Sequence, residues 1–158
     1  MASVSVTLVT YNSESFLEPC LESVWAQREV TPEIIVVDNA SRDGTFKLLQ
    51  RHAQRLRLIR NQENRGFAAA QNQAIQQTQG DWVLCLNPDV VLAPTFLKTL
   101  LEAASSYPCV GMLCGKLLRL PPDGSRPALS LLDSTGVYFT PTLRHLDRGS
   151  NEADYGQY

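Results

Sequence analysis

The chain predicts a three-layer α/β/α fold built on a mostly parallel sheet. Three observations carry that prediction. Short β-branched or apolar runs alternate with segments of helical periodicity from Ser5 to Ser106. One run, EIIVVD (Glu33–Asp38), is continuously apolar between its terminal acids, the pattern of a strand buried on both faces of a parallel sheet. Asn, Asp or Arg stands where each of the first four runs ends.

The elements follow in order. SVTLVT (Ser5–Thr10) reads as the first strand. SFLEPCLESVWAQ follows, with Phe16, Leu17, Cys20, Leu21, Val24 and Trp25 at helical spacing. Ser15 and Glu18 have capping-box spacing, which would keep Pro19 in the first turn of that helix. EIIVVD is the second strand, Asp43-Gly44 a turn, and TFKLLQRHAQ the second helix. LRLIRN and FAAAQNQAIQQT form the third strand and helix, and WVLCLN and PTFLKTLLEAASS the fourth pair, with Pro94 near the helix start. CVGMLCGKLL reads as a fifth strand. Right-handed βαβ units of this kind place helices on both faces of the sheet.

Past Leu120 the alternation fails. PPDGSRP reads as a loop, DSTGVYFT as one further strand, and RGSNEADYGQY as an acidic end with nothing to pack. One domain over residues 1–158 is expected, irregular from 121 onward, since 158 residues suit a single core.

Composition narrows the partners. With 14 basic and 16 acidic residues the net charge is -2, which argues against nucleic acid. No apolar run approaches the ~20 residues that span a bilayer. The N-terminus MASVSVTLVTYNSES lacks the basic and apolar regions of a signal peptide. Cys20, Cys85, Cys109 and Cys114 form no C-x-x-C, and His52 and His145 make no zinc motif. Four buried free thiols are expected, and with them a reducing, cytoplasmic setting.

In open α/β sheets, ligands bind beyond the carboxyl ends of the strands. Those ends carry Thr10-Tyr11-Asn12, Asp38-Asn39-Ala40-Ser41, Asn61 leading to Asn64-Arg65-Gly66, and Asn87-Pro88-Asp89. Together they describe a cleft. There is no G-x-G-x-x-G after the first strand, which counts against a dinucleotide-dependent dehydrogenase. GMLCGK (Gly111–Lys116) is one residue short of a phosphate loop and lacks its Ser/Thr, so that near-match is chance.

A nucleotide held without a glycine loop needs other devices. Tyr11 offers a stacking face, Asp38 an acceptor for a base N–H, and Arg65 a charge for phosphate. Asp89 offers a ligand for a divalent ion bridging a diphosphate, since Mg²⁺ and Mn²⁺ favour one or two carboxylates plus phosphate oxygens. Each has a plain structural alternative. Tyr11 covers a sheet edge, Asp38 caps a helix, Arg65 pairs with a surface acid, and Asp89 belongs to the turn after Pro88.

Taken together, VTLVTYNSESFLEPCLESV, EIIVVDNASRDGT, NRGFAAAQNQAI and GDWVLCLNPDVVL resemble the nucleotide-binding half of family 2 glycosyltransferases of the GT-A fold. The four blocks cover most of Ser5 to Leu92 in the family's order and spacing. N-P-D in place of D-x-D, and the weaker stretch DSTGVYFTPTLRHLDRG, are similar to a rhamnosyltransferase-like subgroup. The resemblance implies an inverting transfer of a sugar, rhamnose in that subgroup, from a nucleotide diphosphate donor. It implies as acceptor a glycan or lipid-linked acceptor of cell-surface polysaccharide synthesis, in the cytoplasm or at the inner face of the membrane.

By the same resemblance, Thr10, Tyr11 and Asn12 lie around the nucleobase and Asp38 hydrogen-bonds a pyrimidine. Asn39 follows Asp38 into the donor site. Asn64, Arg65 and Gly66 lie near ribose and phosphates, and Asn72 lies on the helix that follows. Asn87 and Asp89 reach the diphosphate, with Asp89 as the ligand of a Mg²⁺ or Mn²⁺ ion. UDP- or dTDP-sugars are the implied donors. Asn87 departs from the commoner Asp and adds no charge, which leaves a metal to Asp89, phosphate and water.

The family's catalytic base is an Asp or Glu beyond the acceptor-facing strand. None of Asp123, Asp133, Asp147, Glu152 and Asp154 has that setting, so the base is expected beyond Tyr158, and the chain to bind donor but transfer poorly. Exposed apolar surface on so shortened a fold would favour self-association. A non-catalytic nucleotide-sugar-binding module is the rival reading. A nucleotidyltransferase is a weaker one, because Tyr11-Asn12 stands where such enzymes carry a glycine- and lysine-rich loop.

Overall fold

The computed structural model describes residues 2–121 and 129–158, which divide into two compact units, Met1–Leu101 and Glu102–Tyr158. The first is the three-layer α/β/α unit that the alternation predicts. Its strands are β1 (Val4–Thr10), β2 (Glu33–Asp38), β3 (Arg57–Arg60) and β4 (Trp82–Leu86). All pairings are parallel, in the order β3-β2-β1-β4. Helices α1 (Glu14–Trp25), α2 (Thr45–Arg51), α3 (Phe67–Ile75) and α4 (Phe96–Ser106) follow the strands in turn.

Each strand face has its own core. Val4, Val6 and Leu8 of β1 and Ile34 and Val36 of β2 pack with Leu17, Cys20, Leu21 and Val24 of α1, Leu48 and Leu49 of α2, and Leu97 of α4. Val9, Ile35 and Val37 point the other way and pack on Ala70 and Ala74 of α3. The order reverses beside β1: the chain first builds outward through β2 and β3, then returns to place β4 on the opposite side. Ligand crevices form at such a reversal.

The boundaries of α1 differ from expectation. The Ser13 carbonyl accepts from the Phe16 and Leu17 amides, so the helix opens at Glu14 and leaves Ser15 inside it. The Ser15–Glu18 capping box does not form, and Glu18 Oε1 meets His52 Nε2 at 3.0 Å instead. Pro19 therefore stands in the second turn, where it deletes one helical hydrogen bond.

The cysteine expectation is corrected as well. Cys20 is buried, but Cys85, Cys109 and Cys114 are exposed free thiols. Cys85 alternates with the inward residues of β4, which borders β1 alone, and Cys109 and Cys114 lie outside regular structure. An apolar neighbourhood in sequence did not translate into burial.

The second unit departs further. The strand expected over CVGMLCGKLL shrinks to β5 (Leu117–Leu118), antiparallel to β6 (Leu132–Ser134). Gly111 and Gly115 weaken that run as a strand, and apolar content alone does not specify one. DSTGVYFT contributes to two strands rather than one, β6 and β7 (Val137–Phe139). β7 pairs with β8 (His145–Asp147) in a hairpin. The acidic end also packs. The Leu132 amide donates to Glu152 O, the Asn151 amide to Leu132 O, and Lys116 Nζ to Asp154 at 2.9 Å. Polar bonds rather than apolar burial hold it, which hydropathy does not register. The loop expected over PPDGSRP lies, after Pro121, outside the described residues, as does Asp123.

Among the described residues no helix is long and apolar enough to cross a membrane.

Candidate functional site

The carboxyl ends of β1, β2 and β3 carry Thr10, Asp38 and Arg60 in one register row. Paired residues of adjacent parallel strands face the same side, so all three belong to the face that α1 and α2 cover. Thr10 and Asp38 are fully buried. Thr10 Oγ1 donates to Asp38 Oδ1 at 3.3 Å, while Asp38 Oδ2 is buried and has no hydrogen-bond partner. The nearest cation is Arg60, whose Nε lies 4.0 Å from Oδ2, beyond hydrogen-bonding range. A buried carboxylate oxygen without a donor is costly for the protein alone and well suited to a ligand N–H.

One residue on, Asn39 engages every valence of its amide. Nδ2 donates to Asn64 Oδ1 at 2.8 Å and to Gly66 O at 3.3 Å. Oδ1 accepts from Asn61 Nδ2 at 3.0 Å and from the Arg65 amide at 3.1 Å. Asn39 thus builds the loop between β3 and α3. The loop closes with the Gly66 amide donating to Asn64 Oδ1, and with Gly66 at φ 80°, ψ 159°, a conformation open to glycine. Arg65 is exposed and makes no ion pair among the described residues.

The loops after β1 and β2 are stitched to each other in the same way. The Asn12 amide donates to Ser41 Oγ at 3.0 Å, and Asn12 Oδ1 accepts from the Arg42 amide at 2.8 Å. Asn12 and Ala40 both take positive φ, 51° and 68°. Asp43 and Glu14 exchange bonds across the two helix starts: Asp43 accepts from the Glu14 and Thr45 amides, and Glu14 accepts from the Gly44 amide. Burial alone would raise the Asp43 carboxyl. The hydrogen bonds from Thr45 and Glu14 outweigh it and hold the group below its ordinary value.

These loops enclose a cleft of about 640 Å³ lined by Tyr11, Ala40 to Arg42, and Arg60 to Asn64. Tyr11 is half exposed, with its ring available as a stacking face. Arg60 continues into an adjoining hollow that Arg65 also lines. Of the residues singled out in the sequence, Tyr11, Ala40, Ser41, Asn61 and Asn64 line the main cleft, while Thr10, Asn12, Asp38 and Asn39 stand behind that lining, in the strand ends and loops that carry it. Asn72 is exposed on α3, beyond the linings of both. Sequence reasoning passed over Arg42 and Arg60. For Arg60 the sequence held no signal, because the run LRLIRN ends on Asn61 and the match of Arg60 to Asp38 appears only in the strand register.

Asn87 and Asp89 sit at the end of β4, apart from that cleft. β1 alone separates β4 from β2, so the two strand ends lie about 10 Å apart at ordinary strand spacing. Asp89 is exposed, with no hydrogen bond or ion pair among the described residues. Its turn closes with the Val90 amide on Asn87 O. The Cys20 thiol donates to the same carbonyl from below at 3.6 Å. Burial, and then the Asp89 charge, push that thiol up to about 12, so it stays protonated.

Among the described residues, no three His, Cys, Asp or Glu gather to hold a metal. One free carboxylate beside an amide nonetheless fits a Mg²⁺ or Mn²⁺ ion that takes its remaining ligands from phosphate and water.

A profile described as Glycosyl transferase family 2 matches residues 5–146. The chain belongs to glycosyltransferase family 2. An N-acetylglucosaminyl-diphospho-decaprenol L-rhamnosyltransferase of Mycobacterium tuberculosis is 35% identical over 131 residues, 76% of this chain and 42% of that protein. A putative teichuronic acid biosynthesis glycosyltransferase of Bacillus subtilis is 32% identical over 115 residues, 71% of this chain and 46% of its own length. The chain thus spans less than half of either relative.

Two solved structures confirm the GT-A type of fold. Staphylococcus aureus TarS 1-349 in complex with UDP-GlcNAc superposes with a TM-score of 0.62 at 26% identity, covering 66% of this chain and 32% of that one. The mannosyltransferase PcManGT of Pyrobaculum calidifontis, in complex with GDP-Man and Mn²⁺, gives 0.61 at 28% identity, over 73% and 36%. The family expected from the four sequence blocks is therefore borne out.

Proposed function

We propose that this family 2 chain binds a nucleotide diphosphate-sugar and serves an inverting glycosyl transfer, with rhamnose from a dTDP- or UDP-linked donor as the favoured sugar. The observation that carries the reading is Asp38 Oδ2, a buried acceptor without a donor beside an open cleft. A base N–H supplies that donor, and Tyr11 stacks on the base. Thr10 holds the carboxylate in place, and Asn39 holds the 61–66 loop near ribose and phosphate. Gly66 lets that loop turn, and Arg65 offers charge to the phosphates. Asn72 lies further along the same path on α3.

Asn87 and Asp89 stand about one strand further on, roughly where a diphosphate would follow a base seated at Asp38. Asp89 would hold the divalent ion, with Asn87 donating to the sugar or ribose. When bound, such an ion supplies charge that stabilises a leaving diphosphate. The similarity to a rhamnosyltransferase and to surface-polysaccharide enzymes supports a glycan or lipid-linked acceptor. Calorimetric titration with UDP- and dTDP-sugars, with and without Mn²⁺, tests the reading. Absence of binding by both at millimolar concentration overturns it.

One observation favours a second reading, donor binding without turnover by this 158-residue chain. Three late acids are already engaged: Asp133 with Arg119, Asp154 with Lys116, and Glu152 with the Tyr158 hydroxyl. An engaged acid is poorly placed to take a proton from an acceptor. Sugar transfer by this chain to a lipid-linked glycan would reject that second reading.

A further inference from the structure

We propose that the β7–β8 hairpin docks on an anionic bilayer surface, entering the lipid interface with Phe139 and Leu143. The inference concerns the second unit alone and is independent of the nucleotide reading. β7 and β8 pair through Val137↔Asp147, Tyr138↔Leu146 and Phe139↔His145, and no third strand joins them among the described residues. Val137 and Phe139 are exposed on one face, Tyr138 and Leu146 on the other. Both faces therefore carry apolar side chains into solvent, the mark of an interaction surface.

The turn departs from the usual hairpin. The Leu143 amide donates to Thr140 O at 2.9 Å and the Thr140 amide to Arg144 O at 2.8 Å, which closes the loop Pro141-Thr142-Leu143. Hairpin loops of this length end in a left-handed residue, a place suited to glycine. Here that residue is Leu143, at φ 59°. Its side chain is 83% exposed, and Phe139 at the same end of the hairpin is 71% exposed. Turn stability asks for glycine at such a position and solubility for a polar residue. Leucine meets neither demand. What it supplies is an apolar tip.

Charge selects the occupant. Ser134 to Leu146 contains no acid, and Arg144 and His145 stand exposed beside the tip. Arg144 makes no ion pair among the described residues. Apolar side chains with an adjacent arginine, and a tyrosine on the strand behind, suit a headgroup layer. The apolar groups enter the acyl boundary while the cation stays among phosphates. A second copy fits less well. Two tips related by a two-fold axis would bring Arg144 toward Arg144. A standard protein interface also takes about 20–30 residues a side, more than the whole of 137–147 supplies.

Co-sedimentation with vesicles tests the proposal, using phosphatidylcholine alone and an equal mixture with phosphatidylglycerol. The 158-residue chain should pellet with the mixed vesicles, far less with the neutral ones, and be released by salt. Leu143→Gly should lower partitioning about tenfold, as expected for one apolar side chain. Its melting temperature should stay level or rise, because glycine suits the turn. Arg144→Gln should lower partitioning about fivefold on mixed vesicles and leave neutral ones unchanged.

A role confined to folding predicts instead that Leu143→Gly alters stability and not partitioning, and that result overturns the proposal. So does a wild-type chain that stays in the supernatant with mixed vesicles. A dimer that Leu143→Gly breaks, with no vesicle binding by either form, would assign the tip to a second copy. Binding that vanishes in a longer chain of its relatives' length would assign it to the added segment. Either assignment overturns the proposal too. UDP titration in parallel keeps the two readings apart, since donor binding is expected of every variant whatever the vesicles show.

Discussion

Asn39 donates its side-chain amide to the Asn64 carbonyl oxygen at 2.8 Å, across a gap of 25 residues. That bond ties the end of β2 to the loop after β3, and its reach explains why one buried asparagine organises half of the cleft. Asn39→Ala removes four bonds and leaves Asn61 Nδ2 and the Arg65 amide without their acceptor. The expected loss is about 2–3 kcal/mol of stability, from groups left unsatisfied rather than from lost area. Urea unfolding of wild type and variant checks it, with the m-value expected to stay constant.

Asp38 and Asp89 should separate cleanly in binding experiments. Asp38→Ala removes an acceptor for the base and should weaken nucleotide binding by about 1–3 kcal/mol whether or not Mn²⁺ is present. Asp89→Ala should abolish most of the metal dependence and leave nucleoside affinity nearly unchanged. Titrating uridine and UDP into both variants, with Mn²⁺ and with EDTA, distinguishes the roles. Equal losses under all conditions would contradict them.

The thiols should divide three to one. Cys85, Cys109 and Cys114 are exposed and should react promptly with DTNB in the folded protein. Cys20 is buried, with its thiol held protonated, and thiolate is the reactive form. Its reaction should wait for unfolding, so adding urea should release the fourth equivalent. Because Cys20 touches Asn87 O, ligand binding at Asp89 should slow it further.

Those thiols also show where sequence reasoning reached and where it stopped. EIIVVD was legible as a strand buried on both faces because parallel sheets impose continuous apolarity on inner strands. Strand β4 carries equally apolar residues, yet Val83 and Cys85 are exposed because β4 pairs with β1 alone. Sheet order, which local sequence does not encode, decides that difference. In the site, Asp38 stood out as an acid ending an apolar run. Arg60 did not, because its place is set by a register row and by the Phe46 ring beneath it, 14 residues away in sequence. In Glu102–Tyr158, backbone pairing and ion pairs replace a hydrophobic core, so hydropathy carried little information there.

Acid should loosen the amino-terminal strand in a predictable window. Asp81 accepts from the Ser3 amide and hydroxyl, both at 2.8 Å, and these bonds hold its carboxyl below the ordinary 3.8. A depressed carboxyl stabilises the fold fully above its unfolded value, and the contribution disappears as pH falls through the folded value. Asp43 has the same sign at the starts of α1 and α2. Stability measured by urea midpoint should therefore fall below about pH 4. Asp81→Asn should be less stable than wild type at pH 7 and should lose less on acidification. An unchanged acid slope in that variant would refute the assignment.

Gly66 offers a test in which strain and crowding separate. Its φ of 80° with ψ of 159° lies where only glycine rests comfortably, yet a Cβ added there would meet nothing within 4 Å. The cost of a side chain is therefore conformational and should not grow with size. Gly66→Ala and Gly66→Ser should each lose about 1–3 kcal/mol, the range for a residue forced into such a conformation. The Gly66 amide donates to Asn64 and its carbonyl accepts from Asn39, so relaxing the strain by turning the backbone would break both bonds. Nucleotide affinity should then fall along with stability, because Asn64 lines the cleft. Thermal melts and UDP titration of the two variants read both effects. A serine variant much worse than the alanine one would mean that crowding, not backbone strain, sets the requirement for glycine.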